Sequence, residues 1–435
     1  MTFLRITSWN TAPCLLAFCL SAFLSGRAWA QYAGVVPEGV IAVVGAQRNY
    51  VDQKKTWNDR GQRISLSNKA QLRFDGEHLL RGEGGAKLQS LAEELQRYDP
   101  SGQSQSLLKR LNLGTLDVGG QAKLQVQYFG LAIGLPKRTT FYIAAPLIDI
   151  EVKTQFHLRG SNNAGEIRDE LGTLAYDELR SGLGQAALLT DRDIKASIEA
   201  AQYTGVDSWR YHNLGDLLTG VTFDIGESLP LTDTVRLSMQ GEAFASVPTG
   251  HVDHPDVLSD VSVGSGAWGF GLAFTPTLSW SDWAFGLESN ALFSLSGKQK
   301  IRLPELDETI ISADRKTDAT VRPGADWGTT AVIAYNHRWL QPQYRISWKR
   351  HERDSIQGRL TGNYNALMDA SEKQQFEQSL WIYFSTIELY REKLFPVPLR
   401  LKIAGNHLFK GFRSFENNFF EVQLISFLPT PWMTD

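Results

Sequence analysis

Residues 267–295 read AWGFGLAFTPTLSWSDWAFGLESNALFSL. Successive side chains of a β-strand point to opposite faces, so a strand with one covered face shows a period of two. In 267–275 that period sets Trp268, Phe270, Leu272 and Phe274 against Ala267, Gly269, Gly271, Ala273 and Thr275. After Ser281 and Asp282 it resumes, with Trp283, Phe285, Leu287, Ala291, Phe293 and Leu295 against Ala284, Gly286, Glu288, Asn290 and Ser294. Each run is about ten residues, the length a tilted strand needs to cross a bilayer. Soluble strands average about 5–6. One apolar face and one small or polar face suit a wall between lipid and a polar interior.

The same alternation recurs at 125–134, 235–245 and 399–409. Twelve segments qualify as strands: 38–50, 121–134, 139–152, 214–226, 234–246, 267–279, 283–297, 327–336, 338–350, 378–390, 396–409 and 416–428. Their connections alternate in length. Short ones lie at 135–138, 227–233, 280–282, 336–338 and 391–395, and long ones at 51–120, 153–213, 247–266, 298–326 and 351–377. Only 410–415 is short where a long connection is expected. No apolar run beyond residue 30 approaches the 18 residues of a spanning helix. The pattern predicts an all-β fold: a transmembrane antiparallel β-barrel of about twelve strands, with ten or fourteen as the alternatives, and helical segments in its long extracellular loops. Trp268, Trp280, Trp283, Trp339, Trp348 and Trp381 fall near strand ends, as in interfacial girdles. The competing reading makes them ordinary core residues.

The first 30 residues have the form of a secretory leader. Arg5 gives a positive start, 12–24 (APCLLAFCLSAFL) is an apolar core too short to span, and Ala28-Trp29-Ala30 is an A-x-A cleavage site. The expected domains are a signal peptide, 1–30, and a single outer-membrane barrel, 31–435. A retained anchor helix is disfavoured by the short apolar core, and a lipoprotein by bulky Phe18 before Cys19. Cys14 and Cys19 both leave with the leader, so disulfides, thiol catalysis and cysteine-bound metals are not expected. The formal charge of −3 becomes −5 once Arg5 and Arg27 are removed, and no Lys/Arg cluster points to nucleic acid. The expected partners are outer-membrane lipid, a small-molecule solute and the barrel-assembly machinery.

Few motifs suggest chemistry. The G-x-G-x-x-G at 264–269 is followed by a strand pattern, Phe270–Phe274, rather than the helix a dinucleotide site needs. Lumen-facing glycines such as Gly271 would instead widen the bore or permit tight strand curvature, and Gly271→Ser is expected to be tolerated. The run His251-Val-Asp253-His254-Pro-Asp256 could hold a divalent cation, but a solvated polar loop is the preferred reading. A membrane hydrolase would need His407 to meet Ser379 or Ser385, and no G-x-S-x-G elbow occurs. No enzyme, catalytic residue, cofactor or metal is therefore expected. Arg236, Glu242, Glu288, Asn290, Arg345, Arg400 and Lys402 sit on the polar phase of their strands and are expected to line the lumen. A charge on the lipid face costs ~2–4 kcal/mol at the midplane. Inside, these charges could form a selectivity filter or pair as structural salt bridges. Helical periodicity in 86–98 puts Leu88, Leu91 and Leu95 on one face, and 166–203 is also helix-rich. Such helices cap the mouth or offer a groove to hydrophobic solutes.

Five segments carry a family likeness. YFGLAIGLP (128–136) running into TFYIAAP (140–146), NLGDLLTGV (213–221), SVPTG (246–250) and GSGAWGFG (264–271) follow one another in the order of the phenol meta-pathway family of outer-membrane channels, which the chain resembles over about 125–297. More distantly it resembles the fatty-acid-channel superfamily. The resemblance implies a channel for passive uptake of small hydrophobic or aromatic compounds. The alternatives are a non-transporting barrel that presents its loops, and, third, the hydrolase. On this reading the mature chain starts at Gln31 and fractionates with outer membranes. N-terminal sequencing of the purified protein checks it, and soluble recovery from the periplasm contradicts it.

Overall fold

In the computed structural model, residues 35–51, 54–65, 71–75, 110–171, 177–226, 229–304 and 311–429 are described. The leader and the 86–98 helix, with Leu88, Leu91 and Leu95, lie outside them. Twelve strands form the wall: β1 (Val40–Tyr50), β2 (Asn112–Leu135), β3 (Thr139–Arg159), β4 (Leu217–Asp224), β5 (Val235–Val247), β6 (Gly269–Trp280), β7 (Trp283–Ser294), β8 (Asp326–Tyr335), β9 (Leu340–His351), β10 (Lys373–Ser385), β11 (Leu399–Phe412) and β12 (Phe419–Pro429). Each pairs antiparallel with the next, and β12 returns to β1 in an unbroken register from Val40↔Pro429 to Tyr50↔Phe419. The sheet is a closed twelve-stranded meander. No helix of the described residues is long and apolar enough to cross a membrane.

The outward face is apolar. Phe129, Leu131, Phe141, Ile143, Phe270, Leu272, Phe285, Leu287, Ile333, Ile346, Leu380 and Leu424 are all exposed, Leu272 at 63%. Their neighbours in sequence turn inward and are covered, as the period of two requires. In water such a patch would far exceed what monomers tolerate; against lipid it is the ordinary surface.

Strand ends depart from the sequence reading in two places. β2 and β3 run on to Asn112 and Arg159, beyond the expected 121 and 152; the added end of β3 exposes Gln155, His157 and Arg159 where an apolar phase would mark a strand in lipid. These ends project beyond an apolar belt, so the outward hydrophobic phase that marks the other strands is missing. An added strand, Ser208–Leu214, pairs with this extension of β3. β10 begins at Lys373 rather than 378, since Lys373, Gln375 and Glu377 point inward and read as loop. It ends at Ser385, before a short helix, Ile387–Arg391.

All the long connections gather at one end. Helices α1 (Ala164–Leu171), α2 (Asp177–Ala187) and α3 (Asp191–Ala200) bury Ile167, Leu183, Ile194 and Ile198 against Leu111, Leu113 and Leu116. Gly297–Arg302, Lys316–Arg322 and Ser355–Gly358 form a separate three-stranded loop sheet. The opposite end carries tight turns, in which Lys137, Arg138 and Ser281 adopt positive φ.

Two measurements check the wall and its direction. Residues 31–435 contain no cysteine, so Leu188→Cys and Leu394→Cys, at exposed sites on opposite ends, can be labelled singly. An impermeant maleimide on intact cells should reach residue 188 and not 394; the reverse pattern would invert the topology. Phe270→Lys and Phe285→Lys should each abolish heat-modifiable migration on gels, since either puts an ammonium against lipid at ~2–4 kcal/mol.

Candidate functional site

The inner wall carries a belt of paired charges. Glu421 on β12 is 1% exposed and accepts from Arg48 Nε on β1 at 2.8 Å; Lys402 on β11, also 1% exposed, faces its other oxygen. Arg345 on β9 bonds Glu288 on β7, and Tyr142 on β3 donates to Glu242 on β5. Lys349 Nζ lies 2.7 Å from Glu377, which also accepts from Asn417. Arg400, on the Lys402 face of β11, stands 5.1 Å from the Tyr383 ring. Asn290 shares the inward face of β7 with Glu288 and fills the space over Gly328. Arg236, on the Glu242 face of β5, is exposed near the short-turn end. Every one of these pairs joins adjacent or next-but-one strands. Twelve tilted strands ~4.8 Å apart imply a backbone diameter of roughly 20–25 Å, so the pairs run along the wall and do not cross it.

Two expectations fail inside this belt. Trp381 belongs to no girdle: it points inward, with Arg345 Cζ 3.9 Å and Lys402 Nζ 4.2 Å from its ring. Parity alone would have found this, because 381 shares the face of Glu377 and Ser379. Gly271 does not open the bore. The Phe244 ring lies over it, and a Cβ there would come within 2.1 Å of Phe244 Cζ. A serine at 271 would therefore displace Phe244.

The 248–268 loop, expected to be solvated, folds into the mouth instead. Asp216, just before β4, clamps its neck. Its Oδ1 accepts from Gly250 N (2.9 Å), and its Oδ2 from Ser265 N (2.8 Å) and the Ser265 hydroxyl (2.9 Å). Burial pushes this carboxyl above its ordinary range, while the donors pull it back. Gly250 and Gly264 let the two ends touch, since a Cβ on Gly250 would lie 2.8 Å from Gly264 Cα. Between them, His251 Nε2 meets the buried Asp260 at 2.8 Å, and the imidazole stacks on Trp209 and Tyr211. Asp256 pairs with Arg302 (2.6 Å) and Lys316 (2.8 Å), tying the loop to the loop sheet. Val261 and Val263 pack in one cluster with Ile148, Ile150, Val152 and the Trp209 and Tyr211 rings. His251 and the His254 N–H share Asp260, Asp256 takes Arg302 and Lys316, and among the described residues no three metal-ligating side chains converge. The G-x-G-x-x-G belongs to this loop and leads into β6.

At the short-turn end, Val36 is fully buried against Ala132, Tyr142 and Ala144, and its N–H donates to Thr140 Oγ1 at 2.8 Å. Gly134 leaves room for this segment: a Cβ there would lie 1.8 Å from Pro37 O. The serine and histidine weighed for a hydrolase fall on opposite faces of the wall. Ser379 pairs with Asn406 and points inward, whereas His407 is exposed and contacts Asn418 at 3.1 Å.

No protein-family model matches the chain, so the resemblance to the phenol meta-pathway family rests on motif order alone. No curated protein matches it. Among solved structures it is similar to the COG4313 outer membrane channel from Pseudomonas putida F1, at 9% identity and a TM-score of 0.47, covering 90% of this chain and 96% of that one. It is similar to the CymD monoaromatic hydrocarbon channel at 8% identity and TM-score 0.32, covering 95% and 98%. It is also similar to the Pseudomonas putida toluene transporter TodX at 8% and 0.25, covering 98% of each. The fold itself, a closed twelve-stranded antiparallel β-barrel, stands on the strand pairing.

Asp216→Ala removes three hydrogen bonds to a carboxylate, each worth about 1.5–3 kcal/mol. The barrel should stay heat-modifiable while trypsin-independent proteases such as thermolysin cut within 250–265. A loop as resistant as the wild type would show that Asp216 does not hold it.

Proposed function

We propose that this protein is an outer-membrane channel for passive uptake of small hydrophobic or aromatic solutes. The observation that carries the reading is the inner wall: Arg48 and Lys402 meet Glu421, Arg345 meets Glu288 and Lys349 meets Glu377 along the wall, and Ile148, Ile150 and Val152, with Trp209 and Tyr211, form an apolar surface at the mouth that one clamped loop covers. Charges paired along the wall are held out of the path, and release of the loop would give an uncharged solute an apolar surface on which to leave water. The motif order shared with the phenol meta-pathway family supports the same solute class. In this reading the leader is cleaved after Ala30, residues 31–435 are inserted as one domain by the barrel-assembly machinery, the long loops face outward, and no cofactor is used. Arg236, Glu242, Glu288, Asn290, Arg345, Arg400 and Lys402 line the path. Leu88, Leu91 and Leu95 form the outer capture groove.

The second reading is a structural or surface-interaction barrel, favoured by the burial of Val36 in the short-turn end. Planar-bilayer recording separates the two. The channel reading expects discrete conductance steps, more frequent in Asp216→Ala. Replacing Leu88, Leu91 and Leu95 together by Ser should lower uptake of an aromatic substrate in cells while the barrel stays folded, since each buried leucine offers roughly 1.5–3 kcal/mol. Silent bilayers together with unchanged uptake would leave the structural barrel standing.

A further inference from the structure

Above the charged belt, where the inserted loop meets the loop sheet, the structure encloses a cavity of about 70 Å³. A single water needs roughly 10–15 Å³ by this measure, so the space admits several waters or a small organic group. Its walls are of two kinds. Val252, Leu292, Val321 and Pro323 make one side apolar. Asp216, Asp253, Asp326 and Asp354 bring four carboxylates to the other.

Two of those carboxylates are accounted for. Asp216 holds the neck of the loop, and Asp326 Oδ1 meets His351 Nδ1 at 2.9 Å. The other two are not. Asp354 is 2% exposed; its Oδ1 takes the Gly324 N–H at 2.7 Å and His351 Nε2 at 3.0 Å, and its Oδ2 has no partner. Asp253 makes no hydrogen bond or ion pair with any described residue. Burial beside Asp260 holds its carboxyl well above the usual carboxylate range. The donors nearby are already used: the Gln299 amide on Ser265 O (3.1 Å), the Ser262 hydroxyl on Gly264 O (2.5 Å) and the Ser265 hydroxyl on Asp216. The Ser246 and Ser294 hydroxyls also line the cavity, and Asp354 Oδ2 remains a buried acceptor left unmatched, which is costly.

We propose that this cavity binds a small organic cation, a primary ammonium on a short hydrocarbon body. Its N–H groups donate to Asp253 and Asp354 Oδ2, and its carbon chain lies against Val252, Leu292, Val321 and Pro323. A protonated amine carries three donors and no acceptor, the complement of the carboxylate oxygens of Asp253 and Asp354. A bare metal ion fits less well. A hard divalent cation takes six or more oxygen ligands, Val252, Leu292, Val321 and Pro323 offer none from their side chains, and no three ligating side chains converge among the described residues. The site is independent of whether the barrel conducts.

Calorimetric titration of the full-length protein in detergent tests it, with butylammonium chloride, 1-butanol and calcium chloride as probes. Butylammonium should bind, 1-butanol should not, and Asp253→Asn should weaken butylammonium binding by about tenfold or more. Asp253 has no described contact to lose, so this variant should keep its heat-modifiable migration. The probe comparison on the unaltered protein decides the matter without any variant. No heat from butylammonium up to about 10 mM would overturn the proposal. So would equal binding of 1-butanol, unchanged affinity in Asp253→Asn, or binding of calcium alone.

Discussion

A strand in lipid has no water to satisfy its N–H and C=O groups, so every one of them must find a partner in the next strand. The pairing of β12 with β1 meets that demand by leaving the sheet without an edge. The rest of the architecture follows from this closure. Each strand must be long enough to cross, each must alternate, and each connection must lie at one end or the other. The apolar belt around Phe270, Leu272 and Phe285 and the polar interior around Glu421 and Lys402 are the two phases of a single alternation.

Closure also creates the problem that the inner wall solves. The interior receives side chains that lipid refuses, and charges taken out of bulk water must be matched nearby. They are matched locally. Glu421 sits between Arg48 and Lys402, Arg345 reaches Glu288 one strand beyond its neighbour, and the Trp381 ring lies between two cations. The mouth is then furnished by a loop that cannot drift, because Asp216 gathers both of its ends and Arg302 and Lys316 hold its middle.

How much of this was legible in the chain depended on whether lipid did the selecting. Where it did, as in 267–295, the period of two is plain and strand positions read closely. The outer ends of β2 and β3 escaped notice because they stand above the belt, where the outward phase is polar and the apolar phase turns inward. The first turn of β10 escaped for the converse reason, since its inward Lys373, Gln375 and Glu377 resemble a loop. The candidate site was legible by parity and not by partnership. Phase alone puts Glu242, Glu288, Arg345 and Lys402 on one face, but which carboxylate meets which cation depends on the stagger between strands far apart in sequence. The same blindness hid the Phe244 ring over Gly271. Asp216 was visible within NLGDLLTGV, but nothing local says that its carboxylate closes a loop beginning 34 residues later at Gly250.

The central claim, that the chain crosses lipid as a wall with alternating faces, is tested most directly by nitroxide scanning of β6. Single cysteines at Leu272, Ala273, Phe274 and Thr275, spin-labelled in reconstituted bilayers, report collision with dissolved oxygen, which concentrates in lipid. The structure predicts high oxygen collision at 272 and 274 and low collision at 273 and 275. A flat profile, or one with the opposite phase, would contradict it.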